Sequence, residues 1–437
     1  MKKHIVVLSL LLSCTMIQAQ TTTKEASAKK SGSELIEIFK DLHQNPELAF
    51  MEVRTSKIVA DNLKKFGFKV ITGIAKTAVV GILKNGEGPT VMYRADMDCN
   101  SVKESTNLPY ASQKSVELSN GSTVPVMHAC GHDAHTTWLI GIAKKFSAMK
   151  EKWHGTLVLV AQPAEEIIEG ARAMVNDGMY DKGVPIPDYL FGMHTAPLPT
   201  GTVGLAPGNR MAGTDQFDVT FYGIGGHGSS PHLAKDPVLM AATAIVQYQF
   251  IVSRGVDPLN AAVVTVGSVQ AGSDNNVIPD KALLKLNLRW YKESDRKLML
   301  DAIDRINKSI AMAYDLPKKM YPTTKFKGWS MPLVNDPEMV KKVTPVIEEI
   351  LGKKGILSEI PPTMGSEDFH HLVIKNKEPK YLYMFFGTAK PAHFKKAQKE
   401  GKLFPYTTHN GDYQVDLDAI KLGVEVASSV LLKMFEK

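Results

Sequence analysis

Four short, nearly unbroken apolar runs stand out along the chain, at residues 90–93, 156–161, 189–193 and 381–386. The second (TLVLVA) and the fourth (YLYMFF) lack the alternation of a half-wet strand, as expected of strands covered on both faces. Helical patterns lie between them. Ser33 can open one helix, with Leu35, Ile36, Phe39 and Leu42 facing inward. Asp133 can cap another that carries Trp138, Leu139, Ile142 and Phe146 on one face. Strands alternating with helices predict an α/β fold with a mostly parallel sheet.

Between residues 212 and 328 the pattern changes. Phe217, Val219 and Phe221 alternate with polar residues, which marks a half-buried strand. Pro237 begins a helix running to Arg254, strands follow at 261–269 and 282–291, and a helix at 295–313 closes the block. This β-α-β-β-α order predicts a small one-sided sheet, an α+β domain inserted at 212–328 between two parts of the main domain, 33–211 and 329–437. A chain of 437 residues is long enough for two cores. No internal repeat at solenoid spacing is present.

Composition adds exclusions rather than a class. Apolar content of 44% and charged content of 22% are ordinary for a globular protein. The formal charge of +7 is spread along the chain, without a dense Lys/Arg cluster interleaved with aromatics, so nucleic acid is not an expected partner. Lys2-Lys3, the apolar stretch 5–17 and Gln18-Ala19-Gln20 read as a signal peptide over 1–19, followed by a polar, flexible leader over 20–32. The expected destination is therefore periplasmic or secreted. A second reading makes Leu11-Leu12-Ser13-Cys14 a lipobox with a lipid on Cys14, but Leu12 fits that motif poorly. No later segment is long and apolar enough to span a bilayer. Removal of the signal leaves Cys99 and Cys130, too few for a disulfide framework in an oxidising compartment.

The chemistry gathers at predicted strand ends, where ligands bind in parallel α/β sheets. Asp96 and Asp98 follow the first run, Glu165-Glu166 follows the second past Pro163, and His194 follows the third. Cys130-Gly131-His132 sits on a loop that opens a helix, with Gly131 allowing a tight turn. Thiolate, imidazole and carboxylate together form a donor set for a divalent ion such as zinc or manganese. In the Glu165-Glu166 pair, one carboxylate can bind metal while its neighbour takes a proton from water.

The chain resembles the M20 metallopeptidase family, in the amidohydrolase branch that includes hippurate hydrolases, N-acyl-amino-acid amidohydrolases and auxin-conjugate hydrolases. The resemblance runs from Leu42-His43-Gln44-Asn45-Pro46-Glu47-Leu48 to His409, through Tyr93-Arg94-Ala95-Asp96-Met97-Asp98, the segment MHACGHDAH at 127–135, and Gln162-Pro163-Ala164-Glu165-Glu166. Gly192-Met193-His194, Gly225-Gly226-His227-Gly228, the segment NVIPD at 276–280 and Gly365-Ser366-Glu367-Asp368-Phe369 continue it.

It implies a catalytic domain with two divalent ions. Cys130 would bridge them, Glu166 and His409 would complete one, and His132 and His194 the other. Glu165 would be the general base and Asp98 its supporting carboxylate. The inserted domain would be a lid and dimerisation domain, from which His227, Asn276 and Arg289 would reach the substrate, with His227 acting in its own subunit or across a homodimer. The expected substrate is an N-acyl amino acid. The alternatives are a dipeptide, whose free amine would need a counter-group such as Glu367 or Asp368, and a catalytically dead ligand-binding protein. Two positions depart from the family pattern. Cys99-Asn100 replace small and apolar residues after Asp98, and Gly411 replaces a proline after His409-Asn410, which predicts a looser terminal loop.

Overall fold

The computed structural model describes residues 33–376, 378 and 380–436. The expected signal peptide, the leader and Cys14 lie outside them. No helix among the described residues is long and apolar enough to cross a membrane.

Helix α1 (33–44) opens the main domain and buries Leu35, Phe39 and Leu42 as its periodicity predicts, whereas Ile36 is only half-buried. Helix α2 (Val53–Lys65) follows, then strands β1 (Lys69–Ile74), β2 (Ala78–Asn85) and β3 (Thr90–Asp96). Helix α3 (His132–Ala148), strand β4 (Gly155–Gln162), helix α4 (Gly170–Asn176) and strand β5 (Tyr189–Pro199) complete the first part. In the sheet, β4, β3, β5 and a later strand, Lys380–Ala389, lie side by side and parallel. Antiparallel β1 and β2 extend one edge, and the short strands Val203–Gly204 and Ile356–Leu357 the other.

The apolar runs are continuous because both faces of this sheet are covered. Val91, Tyr93, Leu157 and Leu159 pack with Trp138, Leu139 and Phe146 of α3 and with a C-terminal helix, Asp418–Phe435. Met92, Val158 and Val160, the alternate residues, pack on the opposite face with Met174 and Val175 of α4 and with Phe369 and Leu372. Strands β1 and β2 were not separated out in the sequence. Much of β1 is solvated, and Gly73 and Gly81 interrupt the two runs.

The inserted domain is a four-stranded antiparallel sheet with two helices, α5 (Pro237–Gly255) and α6 (Glu293–Ala313), on one face. Its strands are β6 (Gly213–Tyr222), β7 (Ala262–Ala271), β8 (Lys281–Trp290) and β9 (Thr323–Ser330). Phe217, Val219 and Phe221 on β6 and Leu284, Leu286 and Leu288 on β8 face the helices, through Tyr248 of α5 and Met299 and Ile303 of α6. The expected β-α-β-β-α order omits β9, which pairs with β6 along the far edge. Its first five residues are exposed, so no alternation announces it. Beyond β9 come helix α7 (Pro337–Leu351), strand β10 (Lys380–Ala389) and helix α8 (Asp418–Phe435).

Candidate metal centre

Three of the parallel strands deliver chemistry to one sheet edge. Strand β3 ends in Asp96, and Asp98 lies two residues on. Strand β4 ends at Gln162 and leads through Pro163 into Glu165-Glu166. Strand β5 does not stop at His194 as the apolar run suggests, but continues beside β10 to Pro199. Its pairing with β3 ceases at Gly192, so His194 stands on a freed edge. The fourth element is α3. Asp133 is not its cap: Gly131, in the left-handed region at φ 81°, makes the turn, and His132 is the first helical residue. A side chain at Gly131 would also collide with Thr195, whose Oγ1 would lie 2.5 Å from the added carbon.

The expected ligands meet. Donor atoms of Cys130, Glu166 and His409 lie within 4.8 Å of one another, as do those of His132, Glu165 and Glu166. Cys130 Sγ is 3.5 Å from His194 Nε2, His409 Nε2 is 3.4 Å from Glu166 Oε2, and His132 Nε2 is 3.7 Å from Glu166 Oε1. Both ring nitrogens of His132, and Glu166 Oε1, are buried without a hydrogen-bond partner. An imidazole left so in a protein interior is costly, and a divalent cation would satisfy it.

Hydrogen bonds separate ligands from supports. His194 donates from Nδ1 to the Thr195 carbonyl (2.7 Å), which turns the Nε2 lone pair toward Cys130. His135 also falls near this cluster, yet it is fully engaged. Its Nδ1 donates to Asp96 and its Nε2 accepts the Thr195 N–H, so it orients its neighbours rather than binding metal. Asp98 accepts the backbone N–H groups of Glu165 (3.1 Å) and Glu166 (3.0 Å) and lies 3.4 Å from His132 Nδ1.

The two glutamates are electrostatically unlike. Burial, then the charges of Glu367 and Glu166, push the Glu165 carboxyl well above the usual range. Burial would also raise Glu166, but His409 and His132 outweigh it and hold that carboxylate below its ordinary value. Burial and the neighbouring His135 lower His194 to about 4, so its imidazole is neutral and free to ligate.

The terminal loop is pinned despite the loss of proline. The His409 N–H donates to the Ala129 carbonyl (2.8 Å), and His409 itself adopts φ 63°. Gly411 accepts from Ser105 N, and a Cβ there would meet the Lys103 carbonyl at 2.3 Å. Close packing replaces the proline.

A cleft of about 520 Å³ opens between the domains, lined by Cys130, Glu165, Glu166, His194 and His409 on one side and by Gln216 and Arg289 of the inserted domain on the other. Ile168, Leu198, Met211, Ile360, Phe385 and Phe404 give it apolar walls. Arg289 is tied to Ser366 Oγ (2.5 Å) and Asn287 Oδ1 (2.7 Å), both neutral, which leaves its charge for an anion. His227 and Asn276 do not line this cleft. They are exposed and adjacent on the ribbon where Gly226–His227 pairs with Val277–Ile278. Arg94, to which the sequence motif alone gives no role, is a buried cation bridging Asp96, Glu367 and Asp368 behind the site.

A catalytic α/β domain carrying such a donor set, faced by an inserted domain across a cleft, defines a metallohydrolase architecture. Residues 92–433 match the profile of Peptidase family M20/M25/M40, and the chain belongs to that family. It is an enzyme of the amidohydrolase and peptidase kind. It is 42% identical to the hippurate hydrolase of Campylobacter jejuni, over 75% of this chain and 82% of that one. It is 34% identical to the N-acetyl-L-cysteine deacetylase of Bacillus subtilis, over 81% and 80%. Among solved structures, a chain from methicillin resistant Staphylococcus aureus superposes with a TM-score of 0.78 at 30% identity, covering 94% of this chain and 98% of that chain. The YXEP protein of Bacillus subtilis, described as a dinuclear metal binding peptidase of the M20 family, superposes with a TM-score of 0.70 at 27% identity, covering 93% and 99%.

Helix α1 is locked to α3 through His43, whose ring nitrogens face Asp133 (2.6 Å) and Glu104 (3.1 Å). Burial disfavours the imidazolium, but the two carboxylates prevail and raise His43 to about 9. Since the folded value lies above the unfolded value near 6.5, this stability is complete below about pH 6.5 and is lost as pH rises through 9. Thermal unfolding of the protein between pH 6.5 and 9.5 should show a loss on the order of 3 kcal/mol that is absent in His43→Gln. Equal pH slopes for the two proteins would remove His43 as the cause.

Proposed function

We propose that the chain hydrolyses the amide bond of N-acyl amino acids, with two divalent ions, zinc or manganese, held by Cys130, His132, Glu166, His194 and His409. The observation that carries this reading is buried His132, whose ring nitrogens make no hydrogen bond yet lie within 3.9 Å of the carboxylates of Asp96, Asp98, Glu165 and Glu166. When bound, the ions supply Lewis acidity toward the scissile carbonyl and lower the pKa of the attacking water. Glu165 takes the proton of that water and returns it to the amide nitrogen, which departs as the amine. Asp98 fixes the backbone on which both glutamates sit, and Arg289 offers a cation to the free carboxylate of the amino acid. The names of two relatives, hippurate hydrolase and N-acetyl-L-cysteine deacetylase, support the substrate class.

A dipeptide would bring a free ammonium group needing an anionic partner. Glu367 and Asp368 are poorly suited to that role. Both are engaged by Arg94, Glu367 is further bonded to Tyr383, and Asp368 to Gln162 and Ala171 N. Retention of Glu165 beside the complete donor set weighs against a dead binding protein.

His227 and Asn276, exposed and outside the lining of their own cleft, fit a role across a homodimer formed through the inserted domain. Support comes from the outer face of α5, where Leu239, Val246 and Phe250 are each more than half exposed in a row of helical spacing, beside the open edge of β7.

Two experiments test these readings. Protein reloaded with zinc or manganese should cleave benzoylglycine in preference to glycyl dipeptides, and Glu165→Gln should retain its metal while kcat falls by about 10²–10⁴-fold. Preference for dipeptides, or an active Glu165→Gln enzyme, would contradict the reading. Mixing inactive His227→Ala and Glu165→Gln subunits should restore roughly a quarter of the native activity, the statistical share of intact sites in exchanged dimers. No recovery after demonstrated subunit exchange would place His227 in its own subunit or outside catalysis.

A further inference from the structure

The loop that carries Glu165 and Glu166 is short and conformationally costly. Ala164 and Ile168 both lie in the left-handed region, at φ 54° and 57°. Gly170, at the loop's far end, has no room for a side chain, since a Cβ would fall 1.6 Å from the Pro163 carbonyl. Such a loop needs external partners to hold it, and its backbone N–H groups identify them. Those of Glu165 and Glu166 donate to Asp98. That of Ala164 donates to Glu52 Oε1 at 2.9 Å, from a residue 112 positions earlier in the chain.

Glu52 is fully buried immediately ahead of α2, and its carboxylate accepts three hydrogen bonds. Oε1 also accepts the N–H of Phe50 (2.9 Å), a second residue held in the left-handed region, at φ 61°. Oε2 accepts the Thr77 hydroxyl (2.6 Å). One oxygen thus ties together two strained backbone positions, and one of them directly precedes the proposed base. Glu52 touches neither the cleft nor the candidate ligands.

We propose that Glu52 is a positioning residue for catalysis: it holds Ala164 in the conformation that aims Glu165 into the cleft and leaves Glu166 at the ligand cluster. The proposal rests on the reading of Glu165 as the base, but the loop's order can be read without substrate or metal. The geometry requires an acceptor at Oε1 rather than a charge. Glutamine retains that acceptor and can donate to Thr77 from its amide, whereas aspartate is one methylene too short and alanine has no acceptor.

The test compares Glu52→Ala, Glu52→Gln and Glu52→Asp by amide hydrogen exchange of the metal-free proteins and by steady-state kinetics of the metal-loaded ones. In Ala and Asp variants, exchange across residues 162–170 should accelerate at least tenfold while α3 keeps its protection, and kcat should fall about 100-fold with KM within about threefold. The Gln variant should restore loop protection and retain kcat within about fivefold. Should the Ala variant fail to fold, the Asp variant carries the same expectation. Unchanged exchange in both shortened variants, loosened exchange with native kcat, or a Gln variant as impaired as Ala would each overturn the role of Glu52. If the native enzyme does not cleave N-acyl amino acids, the functional reading fails, while the exchange result still decides whether Glu52 holds the loop.

Discussion

Six carboxylates crowd one edge of the main sheet: Asp96, Asp98, Glu165, Glu166, Glu367 and Asp368 are all buried or nearly so. Like charges in a low-dielectric interior cannot all ionise unless cations stand among them. Arg94 answers for three, Asp96, Glu367 and Asp368, on the inner side of the cluster. On the outer side Asp98, Glu165 and Glu166 surround His132, whose nitrogens have no hydrogen-bond partner. A permanent cation on one side and a place for exchangeable cations on the other gives the site its direction, with chemistry on the side that faces the cleft.

The fold supplies that arrangement through the parallel strands. Because β3, β4 and β5 run the same way, their carboxyl ends bring Asp96, Glu165 and His194 to one edge although the residues are far apart in sequence. Gly131 then turns the chain so that Cys130 lies before α3 and His132 within it. The inserted domain closes the other wall of the cleft with Arg289, a cation whose partners are neutral. In the proposed mechanism substrate anchoring and proton transfer fall to different domains, with Arg289 on the inserted one and Glu165 on the main one, across the same cleft.

What could be read from the chain follows from how locally each feature is encoded. Strands β4 and β10 were legible because burial on both faces leaves an unbroken apolar run. Strand β9 was not, because its residues TTKFKGWS are mostly solvated and its place is set by pairing with β6. Asp133 was misread as a cap because a carboxylate at a helix start usually serves the backbone, whereas here it also holds His43 from another helix. The candidate ligands were legible as short motifs, Glu165-Glu166 after a predicted strand and Cys130-Gly131-His132 on a loop that opens a helix. Asp98 was expected as a support from the family resemblance, but the other supports were not. His135 reaches Asp96 from 39 residues away, Glu52 reaches Ala164 from 112 and Arg94 reaches Glu367 from 273, and no local pattern carries such pairings.

In the proposed function the donors around Cys130 form a two-ion centre. Anomalous diffraction from crystals of the zinc- or manganese-loaded protein, collected at the metal's absorption edge, tests it most directly. Two peaks per chain are expected that share Cys130, one also contacting Glu166 and His409 and the other His132 and His194. A single peak, or peaks that leave Cys130 and His132 unliganded, would contradict it.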